Sequence, residues 1–161
     1  MRLKALLKQC SCTVIFSVLL GGGHLAAADP DELINGLHKD AANAVYDTYF
    51  ARFTADAVFL GTDRAERWSI DAFKAYAKPI FDAGVGWRYE VVSRHWAGAG
   101  DIRWFDEVLW NDKYGYCRGT GVVRSTGEGW RIAHYSLTFL IPNELATDMA
   151  TMTQAIDARP Q

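Results

Sequence analysis

WFDEVLWNDKYGYCRGTG, residues 104–121, reads as two strands joined by a tight turn, and it makes the second half of the chain an antiparallel sheet. With Asp112 and Lys113 at the tip, cross-strand partners have numbers summing to 225. Glu107 then faces Arg118, and Trp110 faces Gly115. A Glu on one aromatic strand and an Arg on the next either hold the sheet together or work on a ligand.

Long strands extend on both sides of this hairpin: WRYEVVSRHW (87–96), IRWFDEVLW (102–110), YGYCRGTGVVR (114–124) and WRIAHYSLTFLI (130–141). STGEG (125–129) is a turn by composition, and Pro142 ends the last strand because it has no N–H to give a ladder. That turn sets Arg118 opposite Ser136 and Thr120 opposite His134. Alternation then sorts the side chains. Phe105, Glu107, Leu109, Arg118, Thr120, Val122, Ile132, His134, Ser136 and Thr138 share one face. Trp104, Asp106, Val108, Trp110, Cys117, Gly119, Gly121, Ala133, Tyr135, Leu137 and Phe139 share the other. A bulge in the Gly-rich RGTG segment inverts this relation, since a one-residue slip turns every side chain over.

Ahead of the sheet the period is helical. Leu33, Leu37, Ala41, Ala44, Val45, Thr48, Tyr49 and Phe53 recur every three or four residues, which gives a helix or helix pair with a break expected at Asn35-Gly36. AVFLG (57–61) is a short strand. Ser69 caps a second helix striped by Ile70, Phe73, Tyr76, Ala77, Ile80 and Phe81, with Pro79 disturbing its last turn. After Pro142, Asn143 caps a tail helix using Leu145, Met149, Met152 and Ile156. Helices first and a hairpin-linked sheet afterwards is an α+β arrangement in one domain, residues 29–161.

Residues 1–28 read as a secretory signal peptide: Arg2, Lys4 and Lys8 lead an apolar run from Cys10 to Leu20 too short to span a membrane, and Ala26-Ala27-Ala28 is a cleavage site. The chain is expected in the periplasm, with no membrane attachment after cleavage. Of 17 basic and 19 acidic residues, the signal removes three basic ones, so 14 face 19 in the mature chain and nucleic acid is a poor partner. Cys117 is then the one cysteine left, so no intrachain disulfide forms.

The face carrying Glu107, Arg118, Thr120, His134 and Ser136 has two readings. It is a solvated surface, or it lines a pocket where a curved sheet wraps the helices. On the second reading Tyr49, Asp63, Trp68, Phe105, Thr120 and Ser136 line a ligand pocket, and His134, Glu107 and Arg118 supply acid–base groups. His134 is the better base, because an Arg opposite Glu107 lowers the carboxyl's pKa. Cys117, on the face opposite His134, is no nucleophile. His38, His95 and His134 lack metal-ligand spacing, and no phosphate loop or dinucleotide fingerprint occurs, so neither a metal nor a cofactor is expected. The apolar second face (Trp104, Val108, Trp110, Tyr135, Leu137, Phe139) is too large to leave wet, which points to a homodimer.

GTDRAERWS (61–69), WFDE (104–107), RGTG (118–121), GWRIAHYSLTF (129–139) and IPNELA (141–146) resemble, in order and spacing, the SnoaL-like branch of the nuclear transport factor 2-like superfamily. The resemblance runs from about Leu33 to Ala146. It implies a curved antiparallel or mixed sheet folded round helices into a cone with an internal pocket, often dimeric. Superfamily members include isomerases, cyclases and dehydratases that need no cofactor, beside noncatalytic domains, so the fold does not fix the chemistry. The two expectations are an exported protein binding a small apolar or carbonyl-bearing molecule, and an acid–base isomerase, cyclase or dehydratase.

Overall fold

The computed structural model describes residues 29–157, and the expected signal peptide lies outside them. Helices α1 (Pro30–Ala42) and α2 (Tyr46–Ala51) lead into β1 (Phe53–Leu60), a short β2 (Arg67–Ser69) and α3 (Ile70–Asp82). Then come β3 (Glu90–Ala99), β4 (Ile102–Asn111), β5 (Gly115–Thr126) and β6 (Gly129–Phe139), followed by a 3-10 turn (Asn143–Leu145) and α4 (Ala146–Asp157). One six-stranded sheet runs β2-β1-β6-β5-β4-β3, with β1 parallel to β6 and every other pair antiparallel. The three leading helices pack inside its curve, giving an α+β cone.

Local chemistry explains the helix boundaries. Asp29 caps α1 by accepting from the Asp31 N–H at 2.8 Å, and Pro30 takes the first turn, where its missing N–H costs nothing. The expected break at Asn35-Gly36 does not occur. Gly36 stays helical, and its missing side chain makes room for the Arg52 guanidinium, which pairs with Asp40 at 2.7 Å. The chain breaks instead at Asn43, whose amide donates back to the Lys39 carbonyl, and at Ala44, which takes φ 53°. Ser69 caps α3 through the Ala72 N–H, and Pro79 is carried inside that helix without ending it. Asn143 makes no side-chain cap; Pro142 holds that position.

The hairpin differs from expectation by one residue. Asn111 pairs with Gly115 across a three-residue loop, because the Asn111 side-chain oxygen accepts from the Lys113 and Tyr114 N–H groups and Gly115 takes φ 72°. Glu107 therefore faces Gly119, and Arg118 faces Val108. Thr120 pairs with Ser136 and Val122 with His134. RGTG itself pairs without a bulge on either side; the bulge lies opposite Val122 and Val123, where Ala133 is the extra residue.

With that register, Phe105, Glu107, Leu109, Cys117, Gly119, Gly121, Val123, Tyr135 and Leu137 point into the cone. Trp104, Asp106, Val108, Trp110, Arg118, Thr120, Val122, His134 and Ser136 point out. The core joins Leu33, Ile34 and Leu37 of α1, Tyr49 and Phe50 of α2, and Phe73, Ala77 and Phe81 of α3 to that inner face. Each large side chain buried this way contributes about 1.5–3 kcal/mol.

Candidate functional site

Glu107 is 0% exposed at the middle of β4, and burial of a charge there needs several partners. Three hydrogen bonds reach it. His38 of α1 places Nε2 2.9 Å from Oε1, the Tyr135 hydroxyl of β6 donates to the same oxygen at 2.9 Å, and Arg94 Nε of β3 donates to Oε2 at 2.9 Å. Arg94 Nη2 lies 2.8 Å from Oε2 as an ion-pair contact outside hydrogen-bond alignment. Nη1 of the same guanidinium donates to Asp31 and Asn35, both at 2.8 Å, and Asp31 also accepts from the Trp96 indole. A chain of charges thus ties the start of α1 to β3 and β4.

Burial pushes the Glu107 carboxyl up, but the hydrogen bonds and charges of His38 and Arg94 outweigh it and hold the group below its ordinary value. The Trp96 and Arg94 hydrogen bonds hold Asp31 down in the same way. Glu107 is therefore an ionised acceptor whose lone pairs are used within the protein. It positions His38 and Tyr135 and is no base itself. Charged, His38 completes an ion pair with Glu107; neutral, it keeps a proton on Nε2 facing Glu107 and leaves Nδ1 to accept.

The RGTG segment now has a physical reading. A Cβ on Gly119 would collide with the Tyr135 hydroxyl and stand 2.8 Å from Glu107 Oε1. A Cβ on Gly121 would meet the Phe105 ring at 2.6 Å. The two glycines are the floor on which Glu107, Tyr135 and Phe105 lie.

Above that floor is a partly open cavity of about 190 Å³. His38 lines it, along with Leu37 and Ala41 of α1, Thr62 and Glu66 of the loop after β1, and Leu137 of β6. Ten of its seventeen lining residues are aromatic, among them Tyr49, Phe59, Trp68, Phe73, Tyr76, Trp87, Tyr89 and Tyr135, so its surface suits flat apolar molecules. Several rings are already near parallel. Phe59 stacks on Phe73 at 3.9 Å, Trp68 on Phe73 at 5.4 Å, and Tyr76 on Trp68 at 4.7 Å between centroids. Polar groups are few. Burial pushes the Tyr49 hydroxyl far above its ordinary value, and burial with nearby Cys117 and Tyr114 pushes Tyr89 up to about 12. Both stay O–H donors at any ordinary pH, and neither hydroxyl bonds to a described residue.

Of the residues expected from sequence, Tyr49 and Trp68 line this cavity and Glu107 lies beneath it. Phe105 points inward but is packed between Trp96 and Tyr135. Asp63 is an exposed loop residue whose carboxylate accepts from the Ala65 N–H. Arg118, Thr120, His134 and Ser136 stand on the outer face, since the one-residue change at Asn111 turned β5 and β6 over relative to β4. Tyr135, Leu137 and Phe139, read onto the same apolar face as Trp104, Val108 and Trp110, line the cavity instead. The expected Glu107 and Arg118 pair is replaced by Glu107 with Arg94.

His38, Arg94, Asp31 and Tyr135 were missed. One signal for His38 is present: it follows Ile34 by four residues and precedes Ala41 by three, a polar interruption of a buried helix stripe. The inward side of Arg94 depends on the bulge at Val92, which no periodicity announces.

The family model of the SnoaL-like domain matches residues 31–142, and the chain belongs to that family. No curated protein matches the chain. Solved structures share the fold at low identity. An NTF2-like protein of unknown function from Pseudomonas putida is 16% identical, with a TM-score of 0.58 over 71% of this chain and 86% of that one. A domain of unknown function with a cystatin-like fold from Nostoc punctiforme is 14% identical, with a TM-score of 0.61 over 76% and 82%. A candidate ketosteroid isomerase from Parabacteroides distasonis is 15% identical, with a TM-score of 0.57 over 71% and 90%.

Proposed function

We propose that this SnoaL-like chain binds a small, planar, largely apolar molecule carrying a carbonyl or hydroxyl oxygen. The aromatic lining of the cavity carries this reading, with Tyr49, Tyr89 and His38 as the polar groups available to one oxygen. Flat rings slide between flat rings at low entropic cost, and a single oxygen fixes their orientation. The protein works outside the cytoplasm, in the periplasm. The basic start, short apolar run and Ala26-Ala27-Ala28 site support this, and an intact mass beginning at Asp29 checks it.

Titration with 2-naphthol, followed by quenching of tryptophan fluorescence, tests the binding. Leu37→Trp, which fills the cavity, should weaken the probe at least tenfold, whereas His134→Gln on the outer face should leave it within twofold. Equal affinity in wild type and Leu37→Trp would refute the site.

The contact between His38 and Glu107 supports a second reading, acid–base catalysis. Neutral His38 takes a proton from the carbon next to a bound ketone, Tyr49 or Tyr89 donates a hydrogen bond to the resulting enolate oxygen, and the proton returns to carbon. In heavy water, 2-tetralone would then gain deuterium faster with wild type than with His38→Gln. Equal rates with both would leave binding as the function.

A further inference from the structure

The last helix of the described residues, α4, is largely exposed. Among the described residues α4 packs closely only on the 3-10 turn before it. Leu145, Met149, Met152 and Ile156, spaced four, three and four apart, form one apolar stripe, yet Leu145 is 50%, Met152 61% and Ile156 59% exposed. A twelve-residue helix with two aspartates and three threonines is marginal in water by itself. It needs a surface.

The same chain leaves a second apolar surface bare. The outer face of the sheet carries Trp104 at 53%, Tyr116 at 52% and Trp110 at 38% exposure, with Val108 and Val122 between them, and among the described residues no helix covers it. Its charges are arranged unevenly. Asp106 sits directly across from His95, and Arg124 is paired with Asp56. Arg118, in the middle of the face beside Val108, has no carboxylate partner among the described residues. The α4 segment is complementary to that cation. Glu144 and Asp148 form a row alongside its apolar stripe, Asp157 ends it, and it carries no basic residue.

We infer that two copies of this chain associate by exchange, α4 of each lying across the outer sheet face of the other. Its apolar stripe covers Trp104, Trp110 and Tyr116, and its acidic row meets Arg118. Reciprocal placement makes the contact two-fold and closed, so it yields a dimer rather than a filament. The two exposed apolar surfaces disappear together. Unlike direct stacking of two sheets, this arrangement makes the dimer depend on residues after Pro142.

Light scattering on the full chain as expressed reads the result, with circular dichroism to show that each variant is folded. Wild type should have twice the chain mass at 20 μM. Met152→Glu with Ile156→Glu should give the single-chain mass while keeping a folded sheet by circular dichroism and the same 2-naphthol affinity, with a melting midpoint lowered by no more than the lost association explains. Arg118→Glu should weaken the dimer at least tenfold, and adding Glu144→Arg with Asp148→Arg should restore it. Three results would overturn the inference: a monomeric wild type, a dimer untouched by the α4 changes but lost with Trp104→Glu, and α4 changes that alter 2-naphthol affinity without altering mass. The second would mean that sheets pack directly, and the third that the helix covers its own cavity.

Discussion

Glu107 shows how a buried charge is kept. Its carboxylate gains little net stability from Arg94, because desolvation offsets most of their attraction, but removing one partner leaves the other stranded. Arg94→Ala should therefore cost about 3–5 kcal/mol in urea melts, and Glu107→Gln with Arg94→Met should recover much of it. In the monomeric Met152→Glu and Ile156→Glu background, where no partner helix meets it, Arg118→Ala should change stability by less than about 0.5 kcal/mol, as surface substitutions usually do. A large loss for Arg118→Ala would put the charge pair back on the register read from sequence. Glu107 and Tyr135 also set the pH limits. The folded carboxyl titrates below its ordinary 4.5, so its stabilisation is complete above that value and is lost as pH falls through the lower folded value. Tyr135 is raised well above 10.0 by burial and by Glu107, so its contribution is whole below 10 and is lost as pH rises beyond it. Tyr135→Phe should flatten the alkaline limb of a pH-stability curve and leave the acid limb in place. An unchanged alkaline limb would contradict the buried phenol.

At the scale of elements, Gly119 carries the sharpest test. Gly119→Ala keeps a strand conformation open to any residue, so its cost comes from Cβ meeting Glu107 and Tyr135, about 1–3 kcal/mol with weakened probe binding. A silent substitution would mean that the floor is looser than described. The same strand shows what sequence conveys. Period and punctuation gave the helices around Leu33 to Phe53 and Ile70 to Phe81 and all four long strands to within a few residues, because apolar alternation and turn formers are local. Register was not local in that sense. Asn111 can end a strand or bond its own turn, and choosing the second lengthens the loop by one residue and exchanges the faces of two strands. One side chain therefore moved His134, Ser136, Thr120 and Arg118 from the expected pocket to the outside.

Across the whole molecule, the site is assembled from distant parts. His38 and Glu107 are 69 residues apart, Arg94 and Asp31 are 63, and neither pair has a spacing motif. Resemblance in GTDRAERWS, RGTG and GWRIAHYSLTF gave the cone, since those segments build turns, floor and inner strand. The polar groups proposed to meet a ligand oxygen, His38, Tyr49 and Tyr89, come from α1, α2 and the segment before β3, and in α1 a single His in an apolar stripe reads as ordinary core until the sheet closes over it. The cavity above Glu107, walled by aromatic rings, is the proposed ligand site. Its most direct test is a mass spectrum of the small molecules released when protein purified from its own cells is denatured. Wild type should release one planar, oxygen-bearing species approaching one per chain, and Leu37→Trp should release none. The same species in equal amounts from both proteins would contradict the account.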